Sequence, residues 1–244
     1  MLRQRDSGSE LLDRPDCAQP LVENSYRFMR FVNRIGGGAR VVRRFLAREL
    51  SASPTERPVR ILDLGSGPCD IPLAVTRWAA ERGHRIEFNC IDHNARALDL
   101  ARLALARAGC STIRLTRGDV FTHQPAEKYD YAVGSMVVHH FSMQEMTRLL
   151  AHLRGFVTKA VLINDLHRCA LNYAMCYALT LGRDPLVRHD ALLSIRRGFT
   201  PHELSAWLAT WSWARYPNTE AVSRSPVWIS PSLSPKTSNC TSRI

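Results

Sequence analysis

Three aspartates stand at or near the ends of short apolar runs: Asp63 in Val59-Arg-Ile-Leu-Asp-Leu64, Asp92 after Ile86-Glu-Phe-Asn-Cys-Ile91, and Asp119 after Thr112-Ile-Arg-Leu-Thr116. The first run breaks into Gly65-Ser66-Gly67-Pro68-Cys69-Asp70. Glycine takes backbone angles closed to other residues and lets a ligand approach the main chain. A helix starting behind such a turn offers free amides and a positive dipole end to a carboxylate or phosphate. If the three runs are adjacent parallel strands, their carboxyl ends share one crevice and the acids face one ligand. An acid after the second strand suits a ribose diol, and one after the third suits an exocyclic amine. With the glycine turn, these are the parts of an adenosine site.

The elements that must position these residues follow from periodicity. A helix is predicted over 71–81, a fourth strand from Tyr129 leading to His139-His140-Phe141, and a fifth strand over 157–163 that delivers Asn164, Asp165 and His167 to the same edge. Strands alternating with helices predict an α/β fold with a doubly wound, mostly parallel sheet. Residues 1–20 are polar and proline-punctuated and are expected to be disordered. Two amphipathic helices over 21–35 and 39–50, split by Gly36-Gly37-Gly38, form a cap over 21–52 with the glycines as hinge or helix stop. The cofactor domain is expected over 53–216, with an insertion at about 167–200.

A nicotinamide fingerprint, G-x-G-x-x-G, would need glycine where Asp70 stands. The chain instead resembles the class I S-adenosylmethionine-dependent methyltransferases over roughly residues 59–166. Asp63-Leu-Gly-Ser-Gly67 is similar to that family's first motif, around the methionine end of the cofactor. By the same resemblance Asp92 accepts from the ribose hydroxyls, and Asp119 with Val120 holds the adenine. The implied cofactor-binding set is Asp63, Gly65, Ser66, Gly67, Asp92, His93, Asp119, Val120 and Ser135. The family's third glycine is replaced by Cys69, which either crowds the loop or points away from it.

The resemblance implies S-adenosylmethionine as cofactor and methyl transfer as the reaction. Arg197-Gly-Phe-Thr-Pro201 resembles a late element of quinone and phenolic-polyketide methyltransferases that forms part of the acceptor pocket, with Thr200 capping a helix and Pro201 at its first position. We therefore expect a small aromatic or polyketide-like acceptor methylated on a hydroxyl. The alternatives are an RNA or protein acceptor and a degenerate binding module. A phenol has an ordinary pKa near that of tyrosine, about 10, so a neutral histidine could serve as base. The candidates are His139, His140, His167 and His189, and Asp165 is placed either to orient one of them or to pair with Arg168.

Composition narrows the alternatives. The 244 residues are 45% hydrophobic, enough to bury a core as one enzyme domain. The net charge of +11 invites a phosphate-backbone reading, but the arginines are scattered and form no basic run interleaved with aromatics, so nucleic acid is not the expected partner. Seven dispersed cysteines form neither a C-x-x-C pair nor a metal-ligand spacing; no metal is expected, and a reducing cytoplasm is. The segment 170–181 is apolar yet short of a bilayer span, and reads as a buried helix or a pocket wall.

After Tyr216 the strand patterning stops. Pro226 interrupts the one remaining apolar run, and a proline costs a ladder hydrogen bond in a central strand. Residues 217–244 are therefore expected to be irregular or disordered, as a frameshift or truncation would leave them, with the sheet's closing strands in question.

Overall fold

The computed structural model describes residues 2–14, 16–50, 57–209, 214–215 and 224–229. The expected sheet is present. Strands β1 (Val59–Leu64), β2 (Ile86–Asp92), β3 (Ile113–Arg117), β4 (Tyr129–Ser135) and β5 (Val157–Leu166) run parallel in the order β3-β2-β1-β4-β5. The register sets Ile61 beside Phe88 on one side and Tyr131 on the other. The carboxyl ends of β1, β2 and β4 thereby form one edge.

Helices cover both faces, as strands buried on both sides require. On one face α2 (Gly38–Glu49) and α3 (Asp70–Ala80) pack Phe45, Leu46, Val75 and Trp78 against Ile61, Phe88, Tyr131 and Leu162. On the other, α5 (Met143–Leu153) and α8 (Pro201–Ala209) pack Met146, Leu149, Leu204 and Trp207 against Leu62, Leu64, Ala132 and Ile163. Ile61 and Leu62 go to opposite layers because successive strand side chains alternate. Phe45 meets Tyr131 edge-on, with ring centroids 5.5 Å apart.

The helix ends explain themselves. Asn94 caps α4 (Ala95–Ala108) through the amides of Arg96 and Ala97. Ser142 and Glu145 form a reciprocal capping box on α5. Thr200 Oγ1 accepts from the Glu203 amide at 3.2 Å while Glu203 Oε2 accepts from the Thr200 amide at 2.7 Å, so the expected cap of α8 is in place. The triple glycine acts as the expected stop: α1 (Gln19–Ile35) ends before it and α2 begins at Gly38, with Gly37 at φ 70°.

Three expectations need correction. Residues 2–14 are not loose; they form a strap across the carboxyl edge, with a 3-10 turn at Leu11–Asp13. Arg5 donates to the carbonyls of Arg197 (2.7 Å), His139 and Phe141 (both 3.0 Å), and its guanidinium lies 3.7 Å from the centre of the Phe199 ring. The amides of Leu11 and Leu12 donate to Asp190, and Leu12 is buried. Such a strap has no periodicity, so only its polarity shows in sequence.

The segment 170–181, read as a buried helix or a pocket wall, carries α6 (Ala170–Leu179); Asn172 is its one buried residue, which excludes the first reading, and Asn172, Met175, Cys176 and Leu179 line a cavity, which agrees with the second. The third correction concerns the closing strands. β7 (Arg224–Ile229) pairs antiparallel with β5, setting Leu162 beside Trp228, and β6 (Ala214–Arg215) pairs with β7. Pro226 stands within β7, in register with Asn164 of β5, and among the described residues β6 pairs with β7 at Trp228 and Ile229. The remainder of the stretch expected to be irregular lies outside the described residues.

Candidate functional site

The glycine turn after β1 is held by the strand beside it. Gly65 and Gly67 take φ of 60° and 52°. The Gly67 amide donates to Asp92 Oδ2 at 2.7 Å and the Asn94 amide to Asp92 Oδ1 at 2.8 Å, so one carboxylate ties the turn to the start of α4. A Cβ on Gly65 would lie 2.4 Å from Val137 Cγ2, whereas one on Gly67 would meet only Tyr26 Cε1 at 3.8 Å. Gly65 is required for a close approach to the loop after β4, not for space facing a ligand.

Cys69 also stands at positive φ, 57°, at the start of α3. Its side chain is fully buried in the layer shared with α2 and α3. It points away from the crevice, which settles the two readings of the missing third glycine. The turn geometry is retained at the strain a non-glycine residue bears there, about 1–2 kcal/mol.

These residues line a cavity of about 640 Å³. The structure brings together Asp63, Gly65, Ser66, Gly67, Asp92, His93, Asp119, Val120, Ser135 and His140 around it, all of them expected from sequence. Asp63 is buried, and burial, with the neighbouring carboxylates Asp70 and Asp92, raises its pKa well above the usual carboxylate range. Asp119 is exposed and accepts the Phe121 amide on Oδ1 at 2.9 Å. Ser135 accepts from Asn164 Nδ2 at 2.9 Å.

A second cavity of about 380 Å³ adjoins the first. Glu10, Leu12, Met29, Met136 and His140 line both. Its walls are largely apolar: Phe28, Val32 and Ile35 from α1, Met175 and Leu179 from α6, and Val187 and Ile195 from α7 (Pro185–Arg197). Met136, at the junction, adopts φ 61°, held there by its amide donating to the Asn164 carbonyl at 2.9 Å. Such strain clusters where a fold aims a side chain into a site.

The polar end of the second cavity is a chain of charges. His139 Nδ1 bonds Asp165 Oδ1 at 2.7 Å, and the His139 amide donates to Asp165 Oδ2 at 3.0 Å. Glu10 Oε1 lies 3.6 Å from His139 Nε2 and 3.8 Å from His140 Nε2, and Ser194 donates to it. Burial works against charge on His139, yet Asp165 and Glu10 outweigh it and raise its pKa to about 9. Burial and then the positive His139 push His140 down to about 4. His139 is thus an imidazolium between two carboxylates, and His140 is neutral.

Of the other candidates, His167 forms a bridge with Phe199 and His189 bonds Asp190 at 2.9 Å from an exposed position; neither is among the described residues lining the two cavities. Asp165 serves His139, while Arg168 pairs with Glu203. Glu10 was missed from sequence. It is 129 positions from His139, a separation no spacing pattern covers, although the donor atoms of Glu10, His139 and His140 all lie within 4.8 Å of one another. Arg197 also lines the larger cavity, its Nη2 donating to the His140 carbonyl at 2.9 Å.

Residues 61–159 match a family model described as a methyltransferase domain. No curated protein matches the chain by sequence. Among solved structures, the plantazolicin methyltransferase BpumL in complex with S-adenosylhomocysteine is 14% identical, with TM-score 0.64 over 89% of this chain and 91% of that one. A putative O-methyltransferase from Nostoc punctiforme is 16% identical, with TM-score 0.57 over 80% of this chain; the match spans 56% of the Nostoc chain. Magnesium protoporphyrin IX methyltransferase from Synechocystis, with bound S-adenosylmethionine, is 12% identical, with TM-score 0.55 over 89% of this chain and 99% of that one. At these identities the likeness is one of fold, and the five-strand order is shared with it. Fold and domain match agree: residues 61–159 match a methyltransferase domain, and the five-strand order is that of a Rossmann-like methyltransferase fold.

Proposed function

We propose that the protein transfers a methyl group from S-adenosylmethionine, held in the larger cavity, to a hydroxyl of a small apolar acceptor held in the smaller one. The observation that carries this is the shared wall: two cavities of different character meet at Met136 and His140. The cofactor supplies an electrophilic methyl group. The protein's task is to orient the acceptor oxygen and exclude water.

The residues present fit the cofactor. Asp63, Asp70 and Asp92 form a carboxylate cluster that raises the Asp63 pKa, and a cationic ligand group relieves it. The Gly65-Ser66-Gly67 turn is assigned to the methionine end. Asp92 keeps a free lone pair on each oxygen beyond its backbone bonds and is assigned to the ribose. Asp119 Oδ2 and Val120 are assigned to the adenine, with His93 and Ser135 on the rim. Helix α1 caps both cavities, through Tyr26, Met29 and Asn33 over one and Phe28, Val32 and Ile35 over the other. Helix α2 is core.

His140 is assigned to the acceptor hydroxyl. Its neutral ring can accept the hydroxyl's hydrogen bond and orient the oxygen lone pair. With the cofactor bound, methyl transfer would break its S–CH3 bond and leave S-adenosylhomocysteine, and His140 would take the acceptor's hydroxyl proton, with Glu10 at 3.8 Å offsetting the repulsion of His139. The smaller cavity, about 380 Å³ and lined largely by apolar side chains, suits an aromatic or alkyl body.

His140→Ala tests the assignment. With phenolic acceptors and labelled cofactor, kcat should fall about 100-fold or more, the scale of general-base loss. The Kd for S-adenosylhomocysteine should stay within a few-fold of wild type. A variant with unchanged kcat removes His140 from the reaction.

A further inference from the structure

Helix α6 carries no charged residue and, for a helix, buries almost nothing of itself. Leu171, Met175 and Tyr177 on α6, Leu181 just beyond it, and Phe31 and Ile35 on α1 are each between 41% and 58% exposed. Scattered exposed apolar side chains need no explanation, but a contiguous set does. Two pairs of these regions meet: Ile35 and Met175 line the smaller cavity together, and Phe31 shares a groove with Gly182 and Arg183, which follow Leu181 in the chain.

The rim of this face is basic. Arg27 and Arg34 fall on the exposed side of α1 with Phe31 and Ile35, at the 27, 31, 34, 35 spacing of one helix face. Arg183 lies over the Phe28 ring, and Arg188 stands 4.4 Å from the centre of the Tyr177 ring. Asp184 in the same groove is committed to capping α7. Apolar side chains ringed by arginines are the makeup of a surface that sits in a lipid headgroup layer.

We propose that the α1–α6 face docks peripherally on an anionic lipid bilayer, with Leu171, Tyr177 and Leu181 entering the headgroup region and Arg27, Arg34, Arg183 and Arg188 facing lipid phosphates. A second copy of this chain is the poorer occupant, because a self-paired face sets the arginine rims of two +11 chains against each other. No helix among the described residues is long and apolar enough to cross a membrane, and the docking proposed is peripheral. The purpose of docking rests on the acceptor reading above: the smaller cavity opens within the face and receives a lipophilic acceptor from the bilayer without passage through water. The docking itself does not depend on that reading.

The test is co-sedimentation of the full chain with phosphatidylcholine vesicles containing about a third phosphatidylglycerol, beside sedimentation velocity without lipid. The Leu171→Glu, Leu181→Glu double variant changes exposed positions outside both cavities. Wild type should partition onto the anionic vesicles, more weakly at high salt, and the double variant should lose at least about tenfold in partitioning while keeping its melting temperature and its affinity for S-adenosylhomocysteine. Absence of wild-type partitioning, partitioning unchanged in the double variant, or a wild-type dimer that the double variant converts to monomer would each overturn the proposal. Because vesicle binding is read without turnover, its failure is distinct from failure of the acceptor assignment.

Discussion

Asp92 does two things with one carboxylate. It holds the Gly67 and Asn94 amides, and it lines the cavity with lone pairs to spare. Asp92→Ala should weaken S-adenosylmethionine binding by about 1.5–3 kcal/mol, the range for hydrogen bonds to a charged group; calorimetric titration showing unchanged affinity would refute the ribose assignment. Gly65→Val should abolish binding, but the structure locates the clash at Val137 and adds a penalty from φ 60°. Val137→Ala in the same chain should recover part of the thermal stability and not all of it, which a ligand-only clash cannot produce. The three acids and two glycines were legible because each sits at the end of an apolar run. Which neighbour Gly65 must avoid was not legible, because Val137 arrives from a different loop.

At the scale of elements, the strap over residues 2–14 and the turn carrying His139 and His140 act as one unit. Arg5→Ala removes three charge-assisted bonds to backbone carbonyls, and should cost about 2 kcal/mol and expose the strap to limited proteolysis; an unchanged cleavage pattern would show that the strap is held elsewhere. The His139 imidazolium makes stability pH-dependent. Its folded pKa of about 9 lies above the usual 6.5, so its stabilisation is fully present below about pH 6.5 and is lost as pH rises through 9. Thermal melts should therefore fall more steeply from pH 7 to 10 for wild type than for His139→Gln, and parallel curves would contradict the charged assignment. Strands and helices with a clear period were readable to within a residue or three. The strap was not, because it is held by side chain to backbone bonds that leave no periodic trace, and sequence left α6 between buried helix and pocket wall because apolar composition does not say what covers a helix.

Across the whole molecule, the sheet order places every acid at one edge, and the N-terminal and late helical elements close over it to divide the space in two. Only the first half of that arrangement is encoded locally. The second cavity depends on α1, α6 and α7, which come together from positions 25 to 195, and on an N-terminal glutamate that no motif announces. The antiparallel closing strand was also hidden, since Pro226 reads as a strand breaker in sequence and yet lies in register with Asn164 of β5.

The most direct test of the two-cavity account is methyl transfer by a chain whose smaller cavity is filled. Ala191→Trp places a bulky side chain at a position that lines that cavity and not the larger one. With labelled S-adenosylmethionine and a panel of alkyl phenols, wild type should give O-methyl products, and the filled variant should lose them while still binding S-adenosylhomocysteine. Equal turnover by the filled variant, or binding of the cofactor by wild type with no transfer to any phenol, would contradict it.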